Sequence, residues 1–275
     1  MLIAMMTLST RNADVERAKT CFESLERYLD ESLEIVIVSP RSEMAAVAAE
    51  LQSVPASKLS FRQMADEDVI EEAIAADPKV RGTVKQMLIK LAFGLICEQP
   101  FYLTLDADVA LVKPLSTGEL FSEGRALIQT KSVSPPSRWC DAAAEILGTP
   151  FDYPDTMDVT PAIMSSAGVR ALVDRLVELL GQDWQRRLAE FHASGTVWTE
   201  YTLYWHFLHH AGQLDALHFR DPRKRIFLMR NIWRPENVTA WDLEVAKRSP
   251  GWFAVIQSTS GLTPGEAREK LGLAG

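Results

Sequence analysis

Asp106 and Asp108 flank one small residue, Ala107, directly after a near-continuous apolar run at residues 101–105 and directly before Val109, Ala110, Leu111 and Val112. Two carboxylates this close repel each other: the cost is about 4 kcal/mol for unit charges ~4 Å apart at an effective dielectric of ~20. A divalent cation, Mn2+ or Mg2+, removes the conflict by taking carboxylate oxygens on one side and diphosphate oxygens on the other. It also stabilises the charge that gathers on a departing diphosphate. The plainer alternative is an acidic pair that ends a strand and caps the next segment. Apolar residues on both sides make that an unusual setting for a solvated turn.

Further along the chain, Glu200 opens a predicted helix between Trp198 and Tyr201. A partly desolvated glutamate there suits a general base that takes a proton from a hydroxyl. An acid in a first helical turn also satisfies the helix dipole, and Trp198, Tyr201 and Tyr204 are equally compatible with a core. His206, His209 and His210 share one helix, with His206 and His210 four apart, but no His-Glu-x-x-His pattern accompanies them. A mixed surface and core helix is therefore expected rather than a zinc site. Arg220, Arg223, Lys224, Arg225, Arg230 and Arg234 form the densest basic stretch. It could meet a diphosphate or an anionic acceptor, or pair with surface carboxylates as a solvated loop.

The elements that must position these residues read as alternating strands and helices. Residues 2–8 form an apolar strand, followed by Val15, Ala18, Phe22, Leu25 and Leu29 on one helix face. A second strand is predicted over 34–39, closed by Pro40, then a helix over 42–51 and a short third strand at 61–63. The acidic stretch 66–77 reads as a solvated helix or ordered loop. Residues 83–97 form a well-buried helix, and 101–105 a strand whose apolar continuity marks the centre of a parallel sheet. If that strand continued, Asp106 and Asp108 would point to one face, at the carboxyl end where ligands of open α/β sheets gather. Beyond it, a strand is expected at 126–130 and a loop at 132–137 containing Pro135 and Pro136. Helices follow at 139–147, 167–180, 183–192 and 199–210, with strands at 160–164, 226–229 and 252–257, and Pro264 opens a final short helix. The order β-α-β-α predicts a mostly parallel sheet flanked by helices, with a more helical second half.

A chain of 275 residues buries enough surface to need no staple, and neither an internal repeat nor a linker divides it. One domain over residues 1–275 is expected. The net charge of −8 has the wrong sign for a nucleic-acid partner. Cys21, Cys97 and Cys140 are odd in number and widely spaced, which predicts buried thiols in a reducing compartment. The apolar start lacks a basic flank and a cleavage site, and no run reaches the ~20 apolar residues of a membrane span. A cytoplasmic protein is expected, with peripheral membrane association left open.

The segment from Gly82 to Ala92, with Lys85, Gln86 and Lys90, together with Asp106 through Leu115, resembles DxD-containing glycosyltransferases of the GT-A fold, in particular small bacterial ones. Thr160, Pro161, residues 198–204 and 255–258 add weaker likeness. The resemblance implies a GT-A-like α/β domain, with residues 1–130 as the nucleotide-sugar half and 131–275 as the acceptor side. It implies that Asp106 faces nucleotide and sugar while Asp108 holds the metal. A nucleoside diphosphate sugar, a UDP-sugar foremost, is the implied donor, and a glycan or other hydroxyl compound the acceptor. Lys85, Gln86 and Lys90 become candidates for the diphosphate, a sugar hydroxyl or the base. Thr10 and Arg11, in the loop after the first strand, become candidates for base or phosphate. Trp198 and Tyr201 become candidates for sugar contact, and Glu200 for the catalytic base. Many GT-A enzymes take a third metal ligand near the C-terminus, often histidine, but this chain has none after His218; Gln257 or Ser258 are the substitutes at hand.

Two other enzymes and one non-enzyme compete. A haloacid dehalogenase-type phosphatase would use Asp106 as nucleophile, yet its aspartate strand normally opens the chain, and Ala110 stands where Thr or Val is expected. A sugar nucleotidyltransferase would need a glycine-rich loop after the first strand, and residues 7–12 contain no glycine. A non-catalytic nucleotide-sugar or carbohydrate-binding protein would keep the fold without turnover.

Overall fold

The computed structural model describes residues 2–133, 137–157 and 160–273. Pro135 and Pro136, expected in a loop, lie outside them. The first half alternates strand and helix as its periodicity demands: β1 (Ile3–Thr7), α1 (Asp14–Tyr28), β2 (Leu33–Ser39), α2 (Met44–Leu51) and β3 (Leu59–Ala65). A helix α3 (Gly82–Ile96) then leads into β4 (Phe101–Leu105) and, after a turn at residues 106–108, β5 (Val109–Leu111). The second half contributes α4 (Arg138–Leu147), β6 (Ala162–Ser165), α5 (Ser166–Leu180), α6 (Trp184–Ser194), α7 (Glu200–His210), β7 (Arg225–Phe227), β8 (Gly251–Val255) and α8 (Pro264–Lys270).

The main sheet runs β6-β4-β1-β2-β3. Its pairings are parallel except at β6, which joins β4 antiparallel with Ala162 opposite Thr104. A second sheet, β7-β8-β5, lies past the end of β4, with Val255 opposite Val109 across the antiparallel β8–β5 pair. This pairing decides whether the strand continues past its end. The chain does not continue straight through Asp106 and Asp108; it turns there because residues 109–111 are recruited by β8.

Period-two alternation sorts the sheet's side chains into two cores. Ile3, Met5, Val36, Val38, Tyr102 and Met164 pack under α3, α5, α6 and α7. Ala4, Met6, Ile35, Ile37, Leu103 and Leu105 pack under α1 and α2. The buried thiols of Cys21, Cys97 and Cys140 are unpaired, as their spacing implies. Among the described residues no helix is long and apolar enough to cross a membrane.

Candidate active site

The alternation that builds the core also builds the site. Tyr102, Thr104 and Asp106 follow one another at intervals of two along β4 and past its end, so all three face α3 and α7. Each is tied to those helices. Tyr102 donates its hydroxyl to the Lys90 carbonyl at 2.7 Å, Thr104 Oγ1 lies 2.8 Å from Tyr201 Oη, and Asp106 Oδ1 lies 2.8 Å from Lys90 Nζ. Lys90 Nζ also meets Glu200 Oε1 at 3.0 Å and stands 5.2 Å from the centroid of the Tyr201 ring.

The Lys90 side chain is only 6% exposed and that of Glu200 4%, whereas Asp106 is 35% exposed and opens outward. Burial alone would strip Lys90 of its proton; Asp106 and Glu200 outweigh it and hold the ammonium well above the usual lysine range. Lys90 is therefore a fixed cation beneath a carboxylate that reaches solvent. Glu200 reaches this position because α7 starts there, capped by the Thr199 hydroxyl, which accepts from the backbone N–H of Thr202.

Asp108 stands differently. Its backbone carbonyl accepts from the N–H of Ile256 at 2.8 Å, which fastens the turn to the end of β8. Its carboxyl is pushed up to about 7 by burial and by the neighbouring Asp106, against a hydrogen bond from the Ser258 backbone. Asp14 in the first turn of α1 is also raised, chiefly by burial, with Asp106 and Glu43 adding to it. The carboxyl edge of the sheet thus gathers acidic groups faster than cations. Sequence reasoning misses Asp14 and Glu43, although an acid in a first helical turn beside the loop after β1 is a signal that could have found the first of them.

The other expected site residues separate into two groups. Lys90, Asp106, Asp108, Glu200 and Tyr201 come together. Tyr201 is buried under Lys90, so it orients the lysine and offers no exposed face to a sugar. Trp198 corrects its expectation outright: it is wholly buried, donating its indole N–H to the Leu188 carbonyl at 2.8 Å. Lys85 points away as well, giving its ammonium to the Ala75 carbonyl at 2.5 Å. Gln86 is partly buried one turn before Lys90. Thr10 and Arg11 sit on the loop after β1, where Glu43 accepts from the Thr10 N–H at 2.6 Å and lies 3.9 Å from the Arg11 guanidinium.

Glu200 does not present a free carboxylate to an acceptor. Its near-complete burial and its bond to Lys90 make it a group that positions the lysine. The histidines take the bland role: His206 Nε2 lies 2.9 Å from Thr149 Oγ1, His210 Nε2 2.9 Å from the Pro150 carbonyl, and Tyr153 stacks on His209.

Residues 1–273 match the sequence profile of DUF6492, a family of unknown function. The chain belongs to DUF6492. No curated protein matches it significantly. Solved structures do resemble this DUF6492 chain. Mouse xyloside xylosyltransferase 1 in its apo form shares 18% identity at a TM-score of 0.53, covering 95% of this chain and 99% of its own. The galactosyltransferase LgtC, in complex with donor and acceptor sugar analogues, shares 12% identity at 0.54, covering 99% and 95%. An active-site mutant of LgtC aligns with the same coverage at 0.53. The fold of this DUF6492 protein is that of the GT-A glycosyltransferases, a mostly parallel central sheet flanked by helices.

Among the described residues no three His, Cys, Asp or Glu side chains converge as a metal set. The residues present nonetheless suit a divalent cation that completes its shell from diphosphate and water, which needs only one or two carboxylates from the protein. The strained ionisation of Asp108 beside Asp106 is the observation that supports this fit. The Ser258 backbone N–H bonds the Asp108 carboxylate and so helps to orient it.

Proposed function

We propose that this DUF6492 protein transfers a sugar from a nucleoside diphosphate sugar, with UDP-sugars first among the candidates, to a hydroxyl acceptor in glycan or surface polysaccharide assembly. The observation that carries this reading is the turn at residues 106–108. It lies at the carboxyl end of β4 in a glycosyltransferase fold, with one carboxylate backed by a buried lysine and the other pushed up by burial and by its neighbour. When bound by Asp106 and Asp108, Mn2+ or Mg2+ would neutralise the diphosphate and stabilise it as the leaving group.

The chain's own residues supply the rest. Lys90, held between Asp106 and Glu200, fixes the Asp106 carboxylate in one orientation, so the sugar and the diphosphate meet a preorganised charge. Tyr201 and Thr104 hold that lysine from below. Arg11 needs to give up only a surface contact with Glu43 to reach a phosphate, a pair worth under about 1 kcal/mol. Gln86 is the remaining candidate for a sugar hydroxyl. The fold favours this reading over the haloacid dehalogenase one.

A thermal-shift panel of UDP, GDP and CMP sugars, with and without Mn2+, tests the proposal. One nucleotide should stabilise the wild-type protein in a Mn2+-dependent way, and Asp108→Asn should weaken that nucleotide by at least about tenfold. Unchanged affinity in Asp108→Asn would sink the metal role. Binding with no nucleotide release across varied acceptors would favour a binding protein over an enzyme.

A further inference from the structure

Beside the turn at residues 106–108 lies a cleft of about 480 Å3 that the acidic pair does not explain. Its walls come from distant parts of the chain: Trp139 in α4, Arg225 and Phe227 in β7, Met229 and Trp233 just after it, and Gln257 beyond β8. Gln257 links the two sites. It is flanked by Ile256, whose N–H binds the Asp108 carbonyl, and by Ser258, whose backbone binds the Asp108 carboxylate. A second hollow of about 310 Å3 shares Met229, Asn231 and Trp233 with the first. The volume falls in the range of about 300–1,000 Å3 usual for small-ligand sites.

Two features of the lining identify what it suits. The first is apolar surface kept at the protein exterior. Met229 is 67% exposed, and Trp139, Phe227 and Trp233 are only partly buried, although most large apolar side chains of this protein are in its cores. Flat rings of this kind pack against the C–H faces of a pyranose while leaving its hydroxyls free for polar groups such as Gln257. The second is charge. Arg225 lines the cleft, and among the described residues no carboxylate does, in a protein whose net charge is −8. Arg220, Arg223 and Lys224 of the same basic stretch are paired with Asp155, Asp221 and Glu119. Arg225 has no ion-pair partner among the described residues. A guanidinium without a carboxylate, at an aromatic wall, is suited to bidentate contact with a carboxylate or phosphate.

We propose that this cleft is the acceptor site and that its acceptor is an acidic glycan, a pyranose carrying a carboxylate or phosphate that meets Arg225 while the ring packs on the aromatic wall. Its assignment as acceptor site rests on the glycosyltransferase reading above; its preference for an anionic sugar does not. The acidic edge around Asp106, Asp108, Asp14 and Glu43 repels the same anion, which favours seating it at the far, cationic end of the cleft with its hydroxyls toward the turn.

Ligand-observed saturation-transfer NMR on the intact protein tests this without donor or turnover. Methyl glucuronide and glucose 6-phosphate separate the carboxylate source from the phosphate source, and methyl glucoside is the neutral control. At least one acidic probe should bind about tenfold more tightly than the neutral one. Arg225→Gln should erase that preference, and Arg225→Lys should retain part of it. Equal binding of acidic and neutral sugars, no saturable binding of any probe at millimolar concentration, or a preference that survives Arg225→Gln would each overturn the proposal. Displacement of the acidic probe by UDP would also overturn it, by assigning the cleft to the donor. Loss of nucleotide binding in the panel above would instead fail the glycosyltransferase reading and leave the sugar preference standing.

Discussion

Asp106 and Asp108 are two residues apart and chemically identical, yet the fold treats them in opposite ways. Asp106 rests on a built column: Lys90 at 2.8 Å, Glu200 behind the lysine at 3.0 Å, and Tyr201 below, itself tied to Thr104. Asp108 is held by backbone groups near the end of β8, and its carboxyl is pushed up to about 7 by burial and by Asp106. The difference shows how a site can be both rigid and receptive. One carboxylate is oriented by an internal cation. The other is left with a charge that burial and Asp106 oppose more than its neighbours balance.

Removing Lys90 would break this comparison most severely. Lys90→Met leaves Glu200 buried without its counter-charge and Asp106 without its anchor, which should cost about 3–5 kcal/mol in urea denaturation. Replacing Glu200 as well, in a Lys90→Met/Glu200→Leu double variant, should recover much of that loss, because the buried anion goes with the cation. If Lys90→Met costs under about 1 kcal/mol, the column is not what holds Asp106.

Acid sensitivity is the next test, since protonation elsewhere could be mistaken for an effect at the carboxylates. Burial pushes both His206 and His218 down to about 4 from an ordinary 6.5. Above that ordinary value neither folded nor unfolded chain is protonated there. As pH falls, the unfolded chain takes up protons that the native state refuses until near 4, so stability declines across this window. Each histidine should account for roughly 2–3 kcal/mol of that decline. His218→Gln and His206→Gln should be less stable at neutral pH but flatter between pH 6.5 and 4. Urea midpoints measured along that range check it. A slope unchanged in both variants would mean that the decline arises from groups other than these two histidines.

How much of this is legible in the sequence depends on whether the deciding contact is local. The strand at 101–105 reads with its observed bounds because five apolar residues in the centre of a sheet are their own signal. The third strand reads too short, at 61–63 against Leu59–Ala65, because β3 is an edge strand whose Ser60, Arg62 and Gln63 obscure its apolar alternation. That the strand ends at Asp106 is legible, but not that residues 109–111 begin a new one, because its cause is the distant β8. In the site, the types and spacing of Asp106, Asp108, Lys90 and Glu200 are visible, but not that Lys90 joins two of them. Trp198 misleads for the opposite reason, since an aromatic beside an acid looks the same in a core as in a sugar site. The cleft has almost no local signal beyond the basic stretch, because its wall residues meet only after the whole chain has folded.

The smallest stability effect sharpens the comparison from the other side. Asp108→Asn keeps the side chain's size and an oxygen able to accept from the Ser258 backbone, and it removes the charge that Asp106 opposes. Stability at neutral pH should therefore not fall, and any change should be in the favourable direction. The matching change at Asp106 has no such latitude. Asp106→Asn leaves Lys90 with Glu200 as its one remaining carboxylate, and loss of a charge-assisted bond to a buried ammonium should cost about 1.5–3 kcal/mol. Paired urea titrations of the two variants should therefore separate clearly. Equal losses would mean that both carboxylates are structural, and a larger loss at Asp108 would reverse the roles assigned to the two ends of the turn.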